Sequence, residues 1–220
     1  MPLSLFASWL NTSFAPFDYY ILEFYHILAQ KADFIINPVM TFMSIIGDNA
    51  FFSFALAIAF LLFPKTRKAG ICMFLAILCG VLITNITLKG LIARPRPFQM
   101  EFTQWWEYVG SPKQVGYAFP SGHATAAMSA MCAMCLTIRK KWVIAFASVY
   151  VALMCAARNY LMVHYPTDVI GGVIVGAVAA FAALYLTKLI YRIIDKDAIT
   201  SDFFKNADVR NFFKKKLNKK

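Results

Sequence analysis

The stretch Val169–Ile190, VIGGVIVGAVAAFAALYLTKLI, decides the fold class. It carries one charge, Lys188, over a length that matches the roughly 20 apolar residues a helix needs to cross a bilayer. Four more apolar runs precede it: Ala50–Phe63, Ala69–Leu88, Gly122–Ile138 and Trp142–Met162. The composition agrees. Of 220 residues, 60% are apolar and 15% charged, where a soluble domain runs at roughly 45–50% and about 25%. A soluble globular domain cannot hide that surface. The 21 Phe, 10 Tyr and 4 Trp are the reverse of a disordered composition. The expected fold is all-α and integral to the membrane: a bundle of five to six transmembrane helices with an N-terminal amphipathic segment.

The net charge of +11 is not spread evenly. Lys65, Arg67 and Lys68 form one cluster and Arg139, Lys140 and Lys141 another; Lys188–Lys220 holds ten Lys/Arg and four Asp. The remaining residues sum to −1. Basic residues gathered in short loops mark the cytoplasmic side of a membrane protein, and a polybasic tail suits anionic headgroups. This excludes nucleic acid as the partner. A zigzag of five helices puts both basic loops and the tail on the cytoplasmic face. The Lys89–Ser121 stretch and the His164–Asp168 turn then lie on the outer face, periplasmic or extracellular, of a multi-pass plasma-membrane protein.

Three regions follow. Residues 1–46 are an N-terminal amphipathic segment: Phe17–Ala32 reads as an interfacial helix on the outer surface. Phe34–Ile46, interrupted by Pro38, stays open between a sixth span and an interfacial helix. Residues 47–193 are the helical core and 194–220 a basic cytoplasmic tail. No cleavable signal peptide is evident, since the N-terminus lacks a basic region and Trp9-Leu10-Asn11 breaks its apolar run. Five cysteines, an odd number, all sit in apolar runs. Cys132-Ala-Met-Cys135 has redox spacing, but in a lipid-length helix it reads as small buried hydrophobes.

Ionisable residues within or at the ends of membrane helices are costly and therefore functional candidates. Three groups stand out. Lys89, Arg94 and Arg96 gather where Pro95 and Pro97 end a helix; they suit phosphate oxygens, against the plainer reading of snorkelling at headgroups. Phe119-Pro120-Ser121-Gly122-His123 opens the next helix. Ser121 caps it, the amides of Ser121, Gly122 and His123 face outward at its positive end, and His123 can donate a proton; simple capping is the competing reading. In the third group, Asp168 lies four residues after His164, across the turn before the last helix. It reaches one imidazole nitrogen and raises the basicity of the other. Arg158 lies six residues upstream and needs an anion, supplied either by a ligand or by a structural Asp.

Taken together, four cations, two histidines, one aspartate and a helix N-terminus converge on one face. That set suits phosphoryl transfer without a metal: cations neutralise the oxygens, one histidine attacks and the other protonates the leaving oxygen. An anion channel fits less well, because these groups cluster at one face and do not line a path across the bilayer.

Lys89-x(6)-Arg96-Pro97, Pro120-Ser121-Gly122-His123 and Arg158-x(5)-His164-x(3)-Asp168 resemble the three-part signature of the type 2 phosphatidic acid phosphatase superfamily. The resemblance covers about residues 47–190. It implies that His164 is the nucleophile that forms a phosphohistidine, Asp168 orients it, and His123 is the general acid. It implies that Lys89, Arg96, Ser121, Gly122 and Arg158 hold the phosphate, with no metal or cofactor, and that vanadate mimics the transition state. Arg94 lies outside the core pattern and is an auxiliary. One departure is Ala157, where such proteins usually have Ser. The expected substrate is a lipid phosphate at the outer leaflet, first undecaprenyl pyrophosphate. The alternatives are phosphatidylglycerol phosphate, phosphatidate, lipid A, or transfer of the same phosphoryl group to an acceptor lipid. A neutral His164 beside a protonated His123 predicts a bell-shaped pH profile.

Overall fold

Every apolar run of the sequence is helical in the computed structural model, which describes residues 3–196. Among those residues there is no strand. A short α1 (Leu5–Ser13), capped by the Ser4 hydroxyl, leads into the long α2 (Ala15–Gly47). Then follow α3 (Phe51–Leu61), α4 (Arg67–Val81), π-helical turns over Leu82–Leu88, and α5 (Lys89–Ile92). The short α6 (Thr103–Val109) lies in the long connection to α7 (Gly122–Ile138). Finally come α8 (Lys141–Tyr160) and α9 (Pro166–Ile194). Four stretches are long and apolar enough to cross a membrane: Ala15–Leu61, Arg67–Gln99, Lys141–Tyr160 and Pro166–Ile194. α7 is a shorter apolar helix.

The N-terminal half differs from the sequence reading in one respect. Pro38 does not interrupt a segment; α2 runs through it, and the helix bends at Ala32 instead (φ −143°, ψ 27°). Phe17–Ala32 and Phe34–Ile46 are therefore the two arms of one kinked helix. The break from α2 to α3 is made by Asn49 and Ala50, both left-handed (φ 49° and 57°). The basic tail expected over 194–220 falls almost wholly outside the described residues.

The site end of the molecule is built by helix packing. α7 is central, with α4, α8 and α9 around it. A core of Met73, Ile77, Ala127, Met131, Met154 and Ala180 fills the space between them. α7 and α9 approach closely because α9 presents Gly172 and Gly176. A Cβ at Gly172 would stand 2.6 Å from the Ser121 carbonyl oxygen, and one at Gly176 2.7 Å from that of Thr125. Small residues at such spacing are what allow apolar helices to associate in lipid. The contact brings the starts of both helices together: Ser121 N–H donates to the Asp168 carbonyl at 3.0 Å. At the opposite end Lys68 lies 5.4 Å from the Tyr191 ring centroid, so the α3–α4 turn meets the end of α9.

Gly176→Leu is expected to force α9 off α7, lowering thermal stability in detergent by about 1–3 kcal/mol or more, with activity lost alongside. Val178→Leu, on the exposed face of α9, leaves both unchanged. An unchanged melting temperature for the Gly176 variant would mean that this contact does not set the helix spacing.

Candidate active site

The π-helical turns Leu82–Leu88 widen the helix just before Lys89, and such turns recur at functional sites. Lys89 then faces the start of α7. A Cβ on Gly122 would lie 3.3 Å from Asn85 Oδ1 and 3.7 Å from Lys89 Nζ, so the helix start packs closely against both side chains. Beyond it is a cavity of about 350 Å³. Lys89, Arg96, Gly122, His123 and His164 line it, together with Asn85 and Gln114. Its inner wall is apolar, with Phe54, Leu78, Val81 and Ala126. Lys89, Arg96, Gly122, His123 and His164, separate in the sequence, therefore meet at one cavity.

His164 is 2% exposed. Its Nε2 is 3.3 Å from Arg96 Nη1. Arginine only donates, so Nε2 accepts and the ring proton sits on Nδ1. Nδ1 faces Asp168 Oδ2 at 3.7 Å. Burial, and after it the charges of Arg96, Arg158 and Lys89, hold His164 well below the usual histidine range. The ring is neutral and presents an unprotonated Nε2 to the cationic side of the cavity.

Asp168 faces His164, as its spacing predicts, but makes no short hydrogen bond to it. It lies in the first turn of α9 and caps it, Oδ2 accepting the Tyr165 N–H at 2.8 Å. Its Oδ1 accepts from Arg94 Nη1 at 2.6 Å. The carboxylate supports His164 at ion-pair range rather than through a short hydrogen bond, because both oxygens already serve other donors. Ser121 caps α7 as the sequence predicts, but its amide is not free. Its hydroxyl accepts from Ala124 N–H and its own N–H is committed to Asp168. The amides left facing outward are those of Gly122 and His123.

The arginines divide into three kinds. Arg96 is anchored on carbonyls of Gly116, Val115 and Val163 and reaches His164 with what remains. Arg158 is fully buried, and none of its three guanidinium nitrogens has a hydrogen-bond partner among the described residues. Among the described residues no Asp hydrogen-bonds to it. Arg94 does not line the cavity. It turns away, toward Asp168, Thr167, Asp18 and Asn11, because those acceptors neutralise it where the cavity is already cationic.

Two carboxylates escaped the sequence reading. Asp48 Oδ1 is 2.9 Å from His123 Nε2, and Asp18, 2% exposed, holds Arg94. Each is an ionisable residue in or beside an apolar run, the signal that singled out the other groups. Neither has a short-range spacing to its partner. Among the described residues no three His, Cys, Asp or Glu side chains are grouped to hold a metal ion.

The profile of the PAP2 superfamily matches residues 69–192, more than half of the chain. The chain is 27% identical over 165 residues to an undecaprenyl-diphosphatase of Sulfolobus acidocaldarius, covering 75% of this chain and 77% of that protein. It is 28% identical over 115 residues to a lipid A 4'-phosphatase of Bacteroides thetaiotaomicron, covering 50% and 51%. Its fold matches the crystal structure of a transmembrane PAP2-type phosphatidylglycerolphosphate phosphatase from Bacillus subtilis. The TM-score is 0.64 at 25% identity, over 84% of this chain and 91% of that one. The chain belongs to the PAP2 superfamily.

Proposed function

We propose that this member of the PAP2 superfamily is a membrane lipid phosphatase that works through a phosphohistidine on His164 at the outer face of the plasma membrane. The observation that carries the reading is the neutral, buried His164, whose Nε2 faces the cationic wall of a cavity that continues into apolar side chains. Lys89 and Arg96, with the Gly122 and His123 amides, hold the phosphate from the cavity side; Arg158 holds it from the buried side. Nε2 attacks phosphorus, the P–O bond to the lipid breaks, and His123 gives its proton to the leaving oxygen. Water, losing a proton to His123, then attacks phosphorus and the P–N bond breaks. Asp168 stabilises the positive ring formed in between. The outer-face assignment is supported by the basic α3–α4 turn, which lies at the end opposite His164.

The similar proteins are named for different lipids, undecaprenyl diphosphate and lipid A among them. What those substrates share is a phosphate on a lipid. Undecaprenyl diphosphate is the first candidate. The test is phosphate release, with EDTA present, from undecaprenyl diphosphate, phosphatidylglycerol phosphate, phosphatidate and lipid A, with His164→Ala as control. Release from the undecaprenyl lipid that resists EDTA and disappears in the variant is expected. Release by the variant at the wild-type rate would remove His164 as nucleophile. Label passed to an acceptor lipid without free phosphate would convert the reading to a phosphotransferase.

A further inference from the structure

We infer that Asp18, in the first turn of α2 and outside the matched family region, is a positioning residue for the phosphoryl-transfer step, acting on Asp168 through Arg94 and Thr167. The inference rests on the roles proposed above for His164 and Asp168.

Four groups meet in a node that solvent does not reach. Arg94 is 1% exposed and Asp18 2%. Arg94 Nη2 donates to Asp18 Oδ2 at 2.8 Å, and Nη1 donates to Asp168 Oδ1 at 2.6 Å. Thr167, the neighbour of Asp168, is tied to Asp18 twice: its N–H donates to Oδ1 at 2.9 Å and its hydroxyl to Oδ2 at 2.7 Å. The Thr167 hydroxyl also accepts from Arg94 Nη1 at 2.7 Å. Arg94 Nε is held by Asn11 Oδ1 at 2.8 Å, and its carbon lies 4.0 Å from the Tyr165 ring centroid. The guanidinium is thus fixed on every edge. Each partner of Asp18 touches Asp168 or sits next to it.

The charge count explains why a carboxylate is needed. Two carboxylates share one guanidinium, leaving the node one negative charge to set against the positive ring of His164. With a neutral residue at position 18, the full charge of Arg94 falls on Asp168 alone. The pair becomes neutral, and Asp168 loses much of its ability to stabilise that ring. The N-terminal segment is then part of the catalytic apparatus, beyond any role in anchoring.

The full-length protein in detergent, with undecaprenyl diphosphate as probe, decides this through a double-mutant cycle of Asp18→Asn and Arg94→Gln, with His164→Ala alongside. Loss of an outer partner that orients a catalytic group typically costs roughly 10–100-fold. Each single variant is expected to lose that much in kcat, with KM held within about twofold. The double variant is expected to lose no more than Arg94→Gln alone, since residues acting through one another are not additive. Losses that multiply in the double variant would mean independent structural damage and would overturn the inference. So would wild-type kcat in Asp18→Asn, or a loss confined to KM. If Asp18→Asn does not accumulate, Thr167→Val, which removes the shared hydroxyl and no charge, is read instead: a lower kcat at unchanged KM sustains the inference, and wild-type kinetics end it. Activity surviving in His164→Ala would overturn the proposed function itself. An inactive His164→Ala beside a normal Asp18→Asn overturns this inference alone.

Discussion

His164→Asn is expected to lower phosphate release by at least roughly a thousandfold, the scale seen when a covalent nucleophile is removed from a site whose binding groups remain. The loss is not one of folding. Asparagine is polar and of similar reach, and the backbone carbonyl of Val163, which anchors Arg96, is untouched. Melting temperature is therefore expected to stay close to wild type while turnover disappears, and vanadate, which as a transition-state mimic needs the attacking nitrogen, is expected to bind more weakly. The acid-labile phosphoenzyme formed by the wild type is expected to be absent from the variant. The pH dependence carries a second signature. Because burial and the neighbouring cations lower the His164 pKa well below 6.5, the ring stays neutral as pH falls through 6.5. The acid limb of phosphoenzyme formation, where it belongs to His164, lies well below that value. Stability moves with it: the unfolded chain takes up a proton near 6.5 that the folded ring refuses, so stability falls as pH drops below that value. A phosphoenzyme that forms in His164→Asn would place the nucleophile elsewhere.

Much of this was legible in the sequence, for physical reasons that differ by element. α7 begins and ends where the apolar run does, because Ser121 is a cap and Arg139 a left-handed stop. The Arg96, His123 and His164 cluster was legible because each is an expensive group at a helix end, and for His164 because an acid, Asp168, follows at one helical turn. Asp18 and Asp48 were not legible as site residues. The partners of Asp18, Arg94 and Thr167, lie 76 and 149 positions away, and His123, the partner of Asp48, lies 75 away; only packing of the first two helices against the rest brings them together. Arg94 illustrates the same limit. Two residues from Arg96 and identical in type, it faces the other way because Asp18 and Asp168 are there to receive it. Helix α2 hid its continuity behind Pro38, a residue that bends a helix as readily as it ends one.

Arg158→Met is expected to separate activity from stability in opposite directions. Arg158 is fully buried and its guanidinium has no hydrogen-bond partner among the described residues. A buried charge without a partner is a net cost to the fold, and replacing such ions with apolar side chains of similar volume is often neutral or stabilising by about 1–4 kcal/mol. A Met at 158 keeps the stem packed and removes the charge, so the melting temperature of the ligand-free protein is expected to hold or rise. Turnover is expected to fall by about 10²–10³-fold, the scale for losing one preorganised group that stabilises transition-state charge. On the proposed reading the two effects have one cause: a bound phosphate supplies the hydrogen-bond acceptors that the fold leaves out at Arg158. Ligand linkage tests that cause directly. Vanadate at 100 times its dissociation constant stabilises a protein by about 2.7 kcal/mol. At that fixed concentration the wild type gains that shift, and the Arg158→Met variant, binding more weakly, gains much less. A variant that melts lower than wild type while still hydrolysing lipid would make Arg158 a structural cation after all, and the phosphate would be held from the cavity side by Lys89 and Arg96 alone.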